Sequence, residues 1–205
     1  MNEHLGGAYP QGDGNTTMPD VWGYLVVRYQ VKSVLDIGCG FGHAMKWFGD
    51  FLISTHGVEG WEEAFNGHLV PGHVTLHDYT KGPAPLGDKS FDLCWCAEFV
   101  EHVDAKFISN YMADMKRCRV VCITHAEPFQ NGHHHVTLKE DSWWESVFES
   151  HGFSHNRVES ARLRATDRWS AGWGRRTLMV FENTSIPSVK DPEFTTPAPI
   201  YFPQP

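Results

Sequence analysis

No two of the five cysteines stand at the C-x-x-C spacing of a zinc or redox site, and their odd number argues against a disulfide framework. Four of them lie inside apolar strand or helix patterns, where cysteine behaves as a small hydrophobe. Long apolar runs are missing too, which excludes a membrane-spanning helix. The first fifteen residues are polar and Gly-rich, without the apolar stretch of a signal peptide. A reducing, cytoplasmic setting is the expectation. Basic residues are scarce, 17 against 25 acidic, for a formal charge of −8. That balance opposes a broad electrostatic grip on nucleic acid. What is present is a globular composition, 41% hydrophobic with 8 Trp and 13 Phe in 205 residues, which fits one domain.

The pattern along the chain predicts a flexible segment over residues 1–18, a domain over 19–182 and a Pro-rich tail over 183–205. A first helix is expected from Pro19 to Gln30, with Thr17 as N-cap. Strands are expected at Ser33–Ile37, Leu52–Val58, Val74–His77, Phe91–Cys96 and Val120–Thr124, and two more at Phe153–Glu159 and Arg176–Phe181. Helices are expected at His43–Gly49, Trp61–His68, Phe107–Arg117 and Asp141–His151, the last capped by Asp141 or Ser142 and stopped at Gly152. Alternating strands and helices imply an α/β, Rossmann-like, mostly parallel sheet with helices on both faces. The two final strands, with no helix expected between them, predict an antiparallel strand at one edge. Ligands of such sheets bind at the carboxyl ends of the strands.

The strongest motif is Val34-Leu35-Asp36-Ile37-Gly38-Cys39-Gly40-Phe41-Gly42, which leaves a strand and opens a helix. Its glycines suit either an ordinary tight turn or a close backbone approach to a nucleotide. The third small residue of a dinucleotide fingerprint is missing, since His43 stands there, and so is the Lys-Ser/Thr pair of a P-loop. Glu59 ends the second strand at roughly the ~20-residue spacing where an acid grips ribose hydroxyls. Asp78 and Tyr79 end the third strand, where an adenine amino group and ring face could be met. Cys96-Ala97-Glu98-Phe99 ends the fourth.

Taken with Gly57-Val58-Glu59, His77-Asp78-Tyr79 and Phe91 to Val103, this series resembles the successive motifs of class I S-adenosylmethionine (SAM)-dependent methyltransferases, over roughly residues 33–181. The resemblance implies a seven-stranded sheet whose last pair forms the antiparallel edge. It implies SAM as cofactor, with Asp36, Gly38, Cys39 and Gly40 around its amino-acid part, Glu59 and Gly60 at the ribose, Asp78 and Tyr79 at the adenine, and Glu98 beside the same pocket.

Glu98-Phe99-Val100-Glu101-His102 brings two carboxylates and an imidazole to helix-turn spacing, a donor set for a divalent ion. His135 is expected to complete the set, with His133 next and His125 third. The Glu-x-x-Glu-His run resembles that of ubiquinone-biosynthetic O-methyltransferases and of small-RNA 2′-O-methyltransferases. The metal set is therefore Glu98, Glu101, His102 and His135, with Mg2+ or Mn2+ as the ion. Glu101, His102 and His135 are also the catalytic candidates, since an imidazole titrates near neutral pH and can serve as base without any metal. The alternative is a capping glutamate beside an exposed histidine loop.

Arg162, Arg164, Arg168, Arg175 and Arg176 crowd one late segment, as a phosphate or carboxylate clamp or as a solvated loop. Trp169 and Trp173 of that segment are expected to wall the pocket. The expected function is methyl transfer to an oxygen of a small molecule or saccharide. An RNA or other nucleic-acid methyltransferase and a non-catalytic SAM-binding regulatory module are the other readings. No membrane span is expected.

Overall fold

Neighbouring residues of the central strands enter opposite cores. Leu35, Ile37, Cys94, Cys96, Val121, Ile123, Met179 and Phe181 join one buried cluster, while Val34, Leu93, Trp95, Val120, Cys122 and Val180 join the other. This two-residue period with apolar groups on both sides is the pattern of a sheet covered on both faces. The computed structural model describes residues 4–5, 14–168, 170 and 172–189. The elements are α1 (Pro19–Tyr29), β1 (Ser33–Ile37), α2 (His43–Asp50), β2 (Ser54–Glu59), α3 (Glu62–Asn66), β3 (Val74–Leu76), β4 (Phe91–Cys96), α4 (Ile108–Met115), β5 (Cys118–Ile123), α5 (Asp141–Ser150), β6 (Phe153–His155), α6 (Arg157–Thr166), α7 (Gly174–Thr177) and β7 (Met179–Asn183).

The seven strands run in the order β3-β2-β1-β4-β5-β7-β6. All pairs are parallel except those of β7, which is antiparallel to both β5 and β6. The sheet reverses its winding between β1 and β4, and that crevice is where such folds bind ligands. Residues of α1, α2 and α6 fill one core, and residues of α4 and α5 fill the other. In the second of these, Phe148 of α5 stacks on Phe181 of β7 with ring centroids 3.9 Å apart. A buried ion pair between Arg28 and Glu159, 3.2 Å, joins α1 to α6, and the Tyr24 hydroxyl donates to the same carboxylate at 2.6 Å.

Several sequence expectations need correction. The N-cap of α1 is Met18, without a side-chain cap, so Thr17 does not cap it. Glu140 rather than Asp141 or Ser142 occupies the N-cap of α5, again without a side-chain bond, while Gly152 takes the left-handed C-terminal place expected of it. Leu52 turns at φ 61°, which delays β2 to Ser54. The sixth strand stops at His155. Asn156 caps a new helix by accepting from the Glu159 N–H at 3.0 Å, so α6 and α7 lie between the last two strands. β7 is therefore inserted between β5 and β6, one place in from the edge. Most of the N-terminal segment and of the Pro-rich tail lies outside the described residues, as does Trp169. No described helix is long and apolar enough to cross a membrane.

Candidate functional site

At the carboxyl ends of β1, β2 and β4 the sheet opens into a cavity of about 790 Å³. Its floor is the glycine turn after β1. Gly38 and Gly40 have φ of +72° and +53°, in the left-handed region where a side chain is strained. A Cβ on Gly38 would also stand 2.6 Å from the Phe99 ring, so the turn can take this shape only without one.

Asp36, Glu59 and Asp78 are three of the carboxylates that line the cavity. Asp36, at the end of β1, is 3% exposed. Burial, reinforced by the nearby Glu59 charge, pushes its pKa up to about 8. Glu59 accepts from the Gly40 N–H and the Trp61 N–H, both at 2.7 Å. These bonds fasten the glycine turn to the end of β2, and each carboxylate oxygen keeps a lone pair for a further donor. Burial raises the Glu59 pKa against the lowering effect of the Trp61, Gly40 and Gly60 amides. Asp78 accepts from the Thr80 N–H at 2.8 Å and faces His4 at 3.1 Å.

Of the expected cofactor residues, Asp36, Gly38, Cys39, Gly40, Glu59, Gly60, Asp78, Tyr79 and Glu98 all line this one cavity. Two of them are oriented differently from expectation. Tyr79 is 5% exposed and packs its ring edge-on against His77, Phe99 and Tyr111, so it is a core residue under the pocket more than an open stacking face. The Cys39 thiol lies 3.5 Å from His68 and is buried.

The expected metal ligands meet in part. Glu101, His102 and His135 each bring a ligand atom within 4.8 Å of the others. Glu98 is not in that triplet. Its own N–H donates to the Thr124 hydroxyl at 2.8 Å, which in turn donates to its carboxylate at 3.0 Å. It holds φ 50°, a strained value for a residue with a side chain. Glu101 is fully buried, and neither carboxylate oxygen has a hydrogen-bond partner; Glu98 and the Ala126 backbone stand beside it without bonding geometry. Burial first, and then the Glu98 charge, push its pKa well above the usual carboxylate range. The Nδ1 atom of His102 is likewise buried without a partner. Burial, then His135, lower the His102 pKa to about 4, which leaves its ring neutral and able to ligate.

The loop that brings His135 is pinned to Glu101 itself, whose carbonyl accepts from the Val136 and Thr137 amides at 2.9 and 3.0 Å. His135 Nδ1 donates to the Gln130 carbonyl at 2.9 Å, which fixes the tautomer and leaves the lone pair on Nε2. Gln130 carried no sequence signal. Neither did His4, Leu5 or Trp22, which also line the cavity.

His133 lines the cavity but stays outside the triplet. His125, the third choice, is turned away and faces Asp141 at 2.9 Å. The late arginines are not a clamp on this cavity, since none of the five lines it. Arg164 pairs with Asp141, Arg162 with Glu159 and Arg176 with Glu127, while Arg175 donates to the Asp167 carbonyl. Trp173 does form part of the wall.

Residues 35–119 match the family model described as a methyltransferase domain. No curated protein matches the chain. Among solved structures, the sugar N-methyltransferase KedS8 from Streptoalloteichus sp ATCC 53650 is similar at 16% identity, covering 84% of this chain and 89% of that one, with a TM-score of 0.64. DesVI from Streptomyces venezuelae is similar at 15% identity, over 85% of this chain and 94% of that one, with a TM-score of 0.63. The methyltransferase domain of bacterial CtHen1 is similar at 17% identity, over 78% and 96%, with a TM-score of 0.54. At such identities the likeness is one of fold. Residues 35–119 are thus similar to a methyltransferase domain, and the chain has the fold of the methyltransferases it is compared with.

Proposed function

We propose that this domain transfers the methyl group of SAM to an oxygen of a small molecule or saccharide, assisted by a divalent ion held by Glu101, His102 and His135. The observation that carries the metal is the pair of orphaned buried groups. A carboxylate with two unpartnered oxygens and an imidazole nitrogen without a partner face the same small space. Leaving such groups buried and unpaired costs several kcal/mol, a roughly estimated penalty that a cation removes. One carboxylate and two imidazoles suit Mn2+ better than Mg2+, which prefers oxygen ligands.

The cofactor fits the other half of the cavity. The turn at Gly38 excludes a Cβ, Glu59 retains lone pairs for ribose hydroxyls, and Asp36 is a carboxyl that a cationic ligand would ionise. When bound, SAM supplies an activated methyl whose sulfur departs as a neutral thioether, and the divalent ion lowers the pKa of an acceptor hydroxyl. The task left to the protein is alignment at about 3 Å. Glu101, His102 and His135 would hold the acceptor oxygen, while Glu59, Asp78 and the glycine turn would fix the cofactor. Without an ion, His135, which lines the same cavity, is the general base of this reading.

A small acceptor is favoured over RNA by the charge of −8 and by the late arginines, which lie off the cavity. The test is Mn2+ binding by electron paramagnetic resonance, together with transfer of labelled methyl from SAM to saccharide and RNA fractions. We expect one Mn2+ per chain, lost in Glu101→Gln and His135→Ala, and labelling that fails in chelator. Unchanged labelling in chelator would reject the metal. Labelling confined to RNA would reject the small acceptor.

A further inference from the structure

Behind the glycine turn, on the side away from the cavity, lies a histidine that the site just described does not use. His68 is 6% exposed and is absent from the cavity wall. Its Nδ1 accepts the Val70 N–H at 3.0 Å. A nitrogen that accepts carries no proton, so in this neutral ring the proton sits on Nε2. That Nε2 lies 3.5 Å from the Cys39 sulfur and donates to it. The ring also fills the space under Gly42, where a Cβ would stand 2.2 Å from His68 Cε1 and where φ is +84°. One residue on, the Leu69 N–H donates to the Phe41 carbonyl at 2.9 Å. Residues 39, 41 and 42 of the turn are therefore each met from behind by residues 68–69.

We propose that His68 is a positioning residue that latches the glycine turn in its cofactor-holding shape. The proposal rests on reading that turn as the SAM cradle. Its action runs through Cys39 and Gly42, never through the ligand itself. The latch needs a neutral ring, because protonated Nδ1 would set one N–H against the Val70 N–H. The titratable groups that face the ring are the Cys39 thiol from the turn and His43 from α2; Phe65 and Val70 bring only backbone groups. Burial lowers the His68 pKa, so the latch is closed at neutral pH and opens on acidification.

The test titrates S-adenosylhomocysteine (SAH) into wild type, His68→Asn and His68→Gln from about pH 8 down to about pH 5. The Asn oxygen can still accept from Val70 but cannot reach Cys39 or titrate. The Gln amide can reach the Cys39 sulfur. At pH 7.5 we expect about tenfold weaker SAH binding by His68→Asn, the worth of one hydrogen bond, and recovery of most of it in His68→Gln. The loss of affinity that wild type shows on acidification should be missing from His68→Asn. Wild-type affinity and pH profile in both variants would overturn the proposal. Failure of wild type itself to bind SAH would sink the cradle reading, and this proposal with it, a result the variants cannot mimic. Should His68→Asn not fold, nitrogen-15 NMR of wild-type His68 decides. A protonated Nδ1 at neutral pH, or a titration midpoint that does not track SAH affinity, would refute the latch.

Discussion

Replacing Asp36 with Asn should make the ligand-free protein more stable while weakening its hold on the cofactor. Asp36 is almost wholly buried, and burial with the neighbouring Glu59 charge moves its pKa from 3.8 to about 8. The folded protein therefore binds a proton that the unfolded chain has released, everywhere between those two values. Stability contributed by this group falls as pH rises through that window. Below 3.8 the group has no effect, and above about 8 its full penalty applies. At about 1.4 kcal/mol per tenfold the penalty is on the order of 6 kcal/mol. Asn is neutral throughout and escapes it. At roughly 2–4 °C per kcal/mol for a chain of this size, Asp36→Asn should melt roughly 12–24 °C above wild type at alkaline pH. The two should converge near pH 4. Thermal unfolding without ligand across that range is the assay, and the difference between the curves isolates this group from other titrations. Calorimetry adds a second readout. A cationic ligand selects the ionised carboxylate, so wild type should release a proton on binding SAM at pH 7 and Asp36→Asn should not. Parallel melting curves at every pH would refute the burial argument.

Further expectations concern the second half of the cavity and the core. Gly132 abuts the His135 ring, and a Cβ there would stand 2.2 Å from its Nε2. Gly132→Ala should therefore displace His135 and weaken Mn2+ by about 10- to 100-fold, the usual effect of disturbing a ligand's support, with SAH binding unchanged. Equal Mn2+ binding would remove His135 from the ligand set. Phe148→Ala should cost about 3–5 kcal/mol, because the fully buried ring stacks on Phe181 at the centre of one core. A loss under about 1 kcal/mol by denaturant titration would mean that this core is looser than the stacking implies.

The parallel half of the fold was legible because its strands are short apolar runs punctuated by glycine and acids. Ser33–Ile37 and Phe91–Cys96 are recovered to the residue. The late region was not. Arg157–Thr166 carries four charged residues around a narrow apolar stripe, and its neighbour Phe153–His155 is only three residues long. Pattern alone merged them into one strand, whereas the helix start is set by the Asn156 side chain and by the buried Glu159 pairing with Arg28. The expected cofactor residues share one cavity because the topology gathers the strand ends there. The supporting partners were not, since Gln130 acts through a backbone carbonyl and His68 through a thiol, and neither leaves a sequence pattern. The arginine cluster misled for a related reason. Its partners, Asp141, Glu159 and Glu127, are 23, 3 and 49 positions away and invisible without the fold.

The most direct test of the account is calorimetric titration of the purified chain with SAH, repeated on Glu59→Ala. We predict saturable binding at one site per chain for the wild type and its loss when the carboxylate that fastens the turn is removed. Absence of binding to the wild type, or equal binding by the variant, would contradict the claim that this cavity is built for an adenosyl cofactor.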